Sequence, residues 1–377
     1  MKKIQMVDLK GQYEGIKDQI NNSFNEIFET TAFINGTEVQ QFQKELEEYL
    51  GVKHVIPCAN GTDALQIAMM GLGLKLGDEV ITADFTFAAT VEVIALLQLT
   101  PVLVDVDPRT FNIDTEAIKQ AITPKTKAIV PVHLFGQVAN MDAIMAIAQE
   151  HNLYVIEDNA QAIGANYHSE HRTLKAGAIG HVGATSFFPS KNLGAYGDGG
   201  ALFTNDDELA HTIRGIVNHG MYERYHHDVV GVNSRLDSFQ AAVLRAKLPR
   251  LDMYNEARKK SALKYDEAFR GIEGIEIPYR GGDYDTHVFH QYTLKIKDGK
   301  RDALAKHLQQ EQIPFGVYYP IPLHLQKAYV DDRYLEKDFT VTNKLVKEVL
   351  SLPMHTELED DQIEYITSTI ISFLKNN

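Results

Sequence analysis

One cysteine, Cys58, stands among 377 residues, so the chain has no intramolecular disulfide and no cysteine-rich metal site. A single thiol fits a reducing cytoplasm. Long apolar runs are missing too: stretches such as VEVIALLQL are far too short to span a bilayer. The opening MKKIQMVDLKGQYEG has no apolar signal core, which predicts a cytoplasmic protein without membrane attachment. A basic surplus is likewise absent. Asp and Glu number 51 against 37 Lys and Arg, a formal charge of −14, and such a surface repels nucleic acid and anionic membranes. There is no internal repeat, low-complexity tract or flexible linker. What is there is an ordinary globular balance, 44% hydrophobic and 23% charged, in a chain long enough for two packed units.

Apolar residues at helical spacing fill 12–30 and 37–50, the latter ending on Gly51. The pattern then alternates. Helix is predicted over Thr62–Met70, 88–97, TEAIKQAI and MDAIMAIAQEH. Strand is predicted over EVIT (79–82), PVLVDVD (101–107), AIVPV (128–132), YVIED (154–158), ATSFF (184–188) and GALFTN (200–205). Short apolar strands alternating with helices predict a three-layer α/β/α fold with a mostly parallel sheet. Helix dominates from Ser234 to Phe269. Beyond Gly271, IEIPYR, HVFHQYTLKI and FGVYYPIP read as strands of a smaller α+β unit closed by a helix from about Asp360. The expected division is 1–250 for a large α/β domain and 251–377 for a small C-terminal domain.

Chemistry concentrates at four places. In SFFPSKNLGAYGDGG (186–200), Lys191 follows an apolar strand inside a glycine-dense loop. The residues alone admit a solvated lysine or a desolvated amine able to form an imine. In VIEDNAQ (155–161), Glu157 and Asp158 end a strand, where open α/β sheets collect ligands. Metal binding, base catalysis and capping of a helix from Asn159 all fit them; Gln161 follows one turn later. In CANGTDALQIA (58–68), Asn60, Gly61 and Thr62 open an apolar helix, either as a plain N-cap or as a phosphate cradle. In ADFTFAATV, Phe87 either packs in the core or stacks on a planar ring. His226 and His227 are adjacent, so in a strand they face opposite sides and cannot readily share one ion; no catalytic metal is expected.

Phosphate cradle, aromatic, carboxylate with Gln, and lysine occur in that order on the tips of one predicted sheet. In this combination the sequence resembles the DegT/StrS-type sugar-nucleotide aminotransferases, a branch of the fold-type I pyridoxal phosphate (PLP) enzymes. The matching strings run through nearly the whole chain: ANGTDAL, GDEVIT, PVLVDVDPRTFNID, VHLFGQVANMDAI, VIEDNAQAIGA, SFFPSKNLGAYGDGG, GVNSRLDSFQAAVL and YYPIPLHLQ. The resemblance implies a Schiff base on Lys191, which would also shuttle protons. Asp158 would pair with the pyridine nitrogen and Gln161 with the ring oxygen or face. Gly61, Thr62 and Ser186 would hold the phosphate, and Phe87 would stack on the ring. Asn233 would reach the phosphate of a neighbouring subunit, making the active site a property of a homodimer.

Some relatives carry histidine in place of this lysine and act as dehydratases; Lys191 points to transamination. Glutamate would convert PLP to pyridoxamine phosphate (PMP), whose amine would pass to a keto-sugar nucleotide. GVNSRLDSFQAA, SFFPSK and QYT look closest to enzymes making UDP-linked 2-acetamido-3-amino-glucuronic acid for surface polysaccharide. Arg235 is then a carboxylate clamp, or else a salt-bridge partner of Asp237. Tyr319 and His324 would line the sugar pocket. Tyr318 stands where uronate-branch members tend to have histidine, which leaves a C3 or C4 aminotransferase acting on a dTDP-, UDP- or GDP-linked keto-deoxy-sugar as the alternative. A non-catalytic regulator is the more distant one.

Overall fold

The computed structural model describes residues 2–169, 172–280 and 286–376. Three helices come first: α1 (Leu9–Glu14), α2 (Lys17–Thr30) and α3 (Thr37–Leu50). In α3, Val39, Phe42, Leu46 and Leu50 recur at three- and four-residue spacing and are all buried. Gly51 stops that helix at φ 67°, where its N–H closes on the Glu47 carbonyl.

Alternation then sets in. The strands are β1 (His54–Cys58), β2 (Glu79–Ala83), β3 (Thr100–Val104), β4 (Thr126–Val130), β5 (Tyr154–Asp158), β6 (Asn166–His168), β7 (Thr173–Lys175), β8 (Val182–Ser186) and β9 (Gly200–Thr204). Between and after them lie α4 (Gly61–Gly71), α5 (Ala89–Leu96), α6 (Thr115–Ala121), α7 (Met141–His151) and α8 (Asp207–Ile216). Seven strands form one sheet in the order β1-β9-β8-β5-β4-β2-β3. Neighbours from β8 to β3 pair in parallel, and β9 runs antiparallel to both β1 and β8. β6 and β7 make a separate hairpin.

Both faces of the sheet are covered, and the pleat sorts the residues. Ile81, Ile129 and Val155 pack with Ile118, Ile144 and Ile147 of α6 and α7. Their sequence neighbours Val80, Ala128 and Ile156 pack with Ala64, Ile67, Val93 and Ile94 of α4 and α5. That is the three-layer α/β/α arrangement expected from the sequence. Each such aliphatic side chain, fully withdrawn from water, contributes roughly 1.5–3 kcal/mol.

A small hairpin of β10 (Met221–Glu223) and β11 (His226–His227) precedes α9 (Ser238–Lys247) and α10 (Leu251–Phe269). The remaining elements are β12 (Ile275–Glu276), β13 (Tyr292–Ile296), α11 (Arg301–Gln310), α12 (Thr340–Glu348), β14 (Val349–Leu352) and α13 (Asp360–Asn376). β12, β13 and β14 form an antiparallel sheet whose core holds Tyr265, Phe269, Tyr292, Leu294, Leu304, Leu350, Leu352 and Ile366. α10 joins both cores: Leu251 packs with Phe42 and Phe187 of the first, Tyr265 and Phe269 in the second.

Two expected strands differ. FGVYYPIP is a loop in which Gly316 alone bridges to Ser351, because Pro320 and Pro322 have no N–H to give a ladder. The third strand is Val349–Leu352 instead. In HVFHQYTLKI the strand starts at Tyr292; before it, Phe289 sits at φ 47° and breaks the extended run.

Candidate active site

The end of β5 separates two carboxylates by the pleat. Glu157 is fully buried and committed: it accepts N–H bonds from Gly177 (2.9 Å), Ile179 (2.6 Å) and Gly180 (2.6 Å), and one from His133 Nε2 (2.9 Å). His133 Nδ1 accepts from the Ala139 N–H at 3.2 Å, which leaves Nε2 as the protonated nitrogen. Asp158 faces the other way. It accepts from the Thr90 hydroxyl at 2.8 Å and from the Ala160 N–H at 3.1 Å. Burial pushes its carboxyl above the ordinary range, opposed by these two bonds and by the charge of Lys191. No helix begins at Asn159; residues 160–164 are a turn, so Asp158 caps nothing longer than its own bend.

Lys191 lies in the loop between β8 and β9 and is half-buried. Burial lowers its ammonium to about 8, with Asp158 pulling it back up. The loop around it is pinned. Asn192 Nδ2 donates to Asn255 Oδ1 (2.7 Å) and to the Val288 carbonyl (2.9 Å), and Lys247 Nζ donates to the Gly194 carbonyl (2.7 Å). A Cβ on Gly194 would lie 2.3 Å from the Pro189 carbonyl oxygen, so the turn accepts glycine alone. His290 also belongs here: burial and the charges of Lys191 and Arg258 hold its imidazole far below its ordinary value, hence neutral.

A cradle forms where β8 ends against α4. Asn60 Oδ1 accepts the Asp63 N–H at 2.8 Å, an N-cap. The N–H groups of Gly61 and Thr62 have no acceptor among the described residues. A Cβ on Gly61 would stand 2.6 Å from Ser186 Cβ, so glycine is what keeps the space between helix end and strand end open. N-cap and anion cradle are therefore compatible here.

The opposite wall is aromatic. Gln161 Oε1 accepts the Phe135 N–H (2.6 Å), and its Nε2 donates to the Tyr319 hydroxyl (3.2 Å). Tyr319 lies 6.2 Å from the ring of Phe87, which is 58% exposed and so free to meet a ligand or a second chain. Asn233 is exposed beside its bridge to Asn218. Arg235 is half-buried and forms no ion pair among the described residues, so the alternative pairing with Asp237 is not made. His324 differs from the others: it is buried, with Nδ1 on Asp84 Oδ2 at 2.7 Å. No group of three or more His, Cys, Asp or Glu among the described residues could hold a metal ion, and no described helix is long and apolar enough to cross a membrane.

The profile of the DegT/DnrJ/EryC1/StrS aminotransferase family matches residues 14–371. The chain belongs to this family. A pleiotropic regulatory protein of Geobacillus stearothermophilus is 46% identical over 99% of both chains. UDP-2-acetamido-2-deoxy-3-oxo-D-glucuronate aminotransferase of Pseudomonas aeruginosa is 45% identical over 97% of this chain and 99% of that one. The structure of NtdA from Bacillus subtilis with bound cofactor PMP shares 32% identity at a TM-score of 0.89, covering 96% of this chain and 82% of that one.

As a member of this family the protein is a PLP-dependent aminotransferase. The donor set fits that cofactor: a helix end with free N–H groups for a phosphate, a buried carboxylate, and an amine of depressed pKa facing it. Three contributors escaped the sequence reading. Thr90 and Asp84 carry no motif of their own, and the electrostatic link between His290 and Lys191 depends on a segment about a hundred residues further on.

Proposed function

We propose that this aminotransferase moves an amino group from glutamate to C3 of a UDP-linked 2-acetamido-3-keto-glucuronic acid, in the cytoplasm, for surface polysaccharide. The single observation that carries the chemistry is Lys191, a lysine desolvated to about 8 whose opposing charge is the buried Asp158. When bound, PLP would supply a ring that accepts electrons as the α C–H bond of the amino donor breaks, and in its PMP form the amine that the keto carbon of the acceptor receives. The Gly61 and Thr62 N–H groups and the Ser186 hydroxyl would hold its phosphate, Asp158 its ring nitrogen, Gln161 its ring oxygen and Phe87 its face.

Lys191 carries the proton. A fall from 10.5 to about 8 enlarges the neutral fraction near pH 7 by two to three orders of magnitude, so Nζ can accept a proton and return it. Asp158 keeps that amine from falling further and steadies the ammonium once formed. Arg235, without an ion pair among the described residues, is suited to a bidentate pair with the carboxylate of glutamate or of the uronate. Tyr319, tied to Gln161, stands where the sugar would enter.

The functional unit in this reading is a homodimer. Phe28, Phe33 and Ile34 are 59%, 42% and 45% exposed, and both phenylalanines pack on Phe239, leaving an aromatic patch that a second copy would cover. Exposed Asn233 would then serve the neighbour's phosphate. The substrate rests on the Pseudomonas relative. Amination assays with 3-keto uronate and 4-keto deoxy-sugar nucleotides, glutamate as donor, decide the carbon; preference for the 4-keto compounds refutes C3. The regulatory name of the Geobacillus relative favours a second reading, a sensor that binds PLP without turnover. Failure of glutamate to convert bound PLP to PMP would support it.

A further inference from the structure

We propose that Asp84 and His324 form a positioning couple that sets the sugar-side wall of the site, so that His324 serves the substrate through the loop it anchors and not by touching it. This rests on the reading of the site as an amination centre. Asp84 follows β2 directly, and both it and His324 are buried. One residue occupies both of its oxygens: the His324 backbone N–H donates to Oδ1 at 2.7 Å, and His324 Nδ1–H donates to Oδ2 at 2.7 Å. The Leu323 N–H adds a bond to the Asp84 carbonyl at 3.3 Å. The imidazole lies flat on Phe339, centroids 4.2 Å apart and planes 12° apart.

The two segments joined there meet again at the site. Forward from Asp84 come Phe85 and Phe87; backward from His324 comes Tyr319. Tyr319 lies 6.1 Å from the ring of Phe85 and 6.2 Å from that of Phe87, and its hydroxyl accepts from Gln161 Nε2. Between Val317 and Pro322 no backbone N–H finds an acceptor among the described residues, and Pro320 and Pro322 have none to offer. The backbone of the loop is therefore fixed at its two ends, by the strand bridge at Gly316 and by the couple at His324, with side-chain contacts alone between them. Burial raises the Asp84 carboxyl to about 6 against the pull of His324, which agrees with an acid kept in place for its partner. Releasing the couple frees the backbone that carries Tyr319, while Lys191, Asp158, the cradle and Phe87, held between β2 and α5, keep their anchors.

The test uses the holoenzyme and four variants: His324→Asn, whose amide nitrogen can replace Nδ1; His324→Gln, whose amide reaches too far; His324→Leu; and Asp84→Asn. Two readouts are taken, the spectral conversion of bound PLP by glutamate and the KM for the keto-sugar nucleotide. His324→Leu and His324→Gln should raise KM about tenfold or more, the loss of a charge-assisted bond, while the glutamate half-reaction stays within about threefold. Asp84→Asn should fall between them and the wild type, and His324→Asn should match the wild type. Unchanged KM in His324→Leu, or His324→Asn no better than His324→Gln, overturns the couple. If His324→Leu does not fold, the contrast between Asn and Gln decides alone. A wild type that glutamate cannot convert sinks the amination reading instead, a separate result from any difference among variants.

Discussion

Thr90→Val offers a sharp test of how the fold prepares Asp158. The substitution keeps the shape of the side chain and removes one hydroxyl, buried within α5. Asp158 has two hydrogen-bond donors, Thr90 at 2.8 Å and Ala160 at 3.1 Å, so the variant loses one of two and leaves a buried carboxylate half-satisfied. A hydrogen bond to a charged group contributes about 1.5–3 kcal/mol, which corresponds to about ten- to hundredfold in an equilibrium constant. The sign of the pKa effect follows. Thr90 lowers the Asp158 carboxyl against a burial that raises it, so without the hydroxyl the carboxyl rises further. The charged form is the one that pairs with a protonated ring nitrogen. PLP affinity should therefore fall by about tenfold or more, and the acid limb of the glutamate half-reaction should move to higher pH. Fluorescence titration of the apoprotein gives the first quantity and stopped-flow absorbance the second. Thr90→Ser, which keeps the hydroxyl, should restore both. Affinity and acid limb within twofold of wild type in Thr90→Val would refute the reasoning.

Three further outcomes follow from the same geometry. Glu157→Gln places an amide donor against the N–H groups of Gly177, Ile179 and Gly180 and the ring of His133, and should cost about 3–5 kcal/mol of stability in chemical denaturation without altering the cofactor spectrum of the folded fraction. Gly61→Ala drives a methyl to within 2.6 Å of Ser186 Cβ and should weaken PLP binding about tenfold; unchanged affinity would show that the phosphate sits elsewhere. Lys191 is protonated below about 8 and neutral above, so the rate at which PLP attaches to the apoprotein should climb as pH rises and level off near 8; a flat profile from pH 6 to 9 would contradict the desolvated amine.

The parts of this architecture that repeat locally were readable. β5 and α7 begin and end where the apolar runs YVIED and MDAIMAIAQEH do, since pleat and helix turn impose periods that a short window reveals. The glycine density around Lys191 marked a tight loop, and the structure supplies its reason in the approach of Gly194 to the Pro189 carbonyl. Whether Lys191 is solvated was not readable, because its environment comes from Asp158 and from loops brought in by Asn255 and Val288. The same distance effect hid Thr90, whose partner lies 68 positions on, and the Asp84–His324 couple, 240 positions apart. FGVYYPIP misled for a different reason: its β-prone aromatics stand between prolines that cannot join a ladder, and the chain turns Tyr319 to Gln161.

The proposed chemistry requires Lys191 to be the lysine that would hold the cofactor. Among the described residues, Lys191 and Lys247 are both desolvated to about 8, and the second is occupied by the Gly194 carbonyl at 2.7 Å and lies 4.5 Å over the ring of Tyr196. Borohydride reduction of the holoenzyme fixes PLP to whichever amine carries it, and peptide mass mapping reads the position. The pyridoxyl group should appear on the peptide containing Lys191, and none should appear after Lys191→Ala. A label on Lys247, or no label at all, would contradict the proposed chemistry.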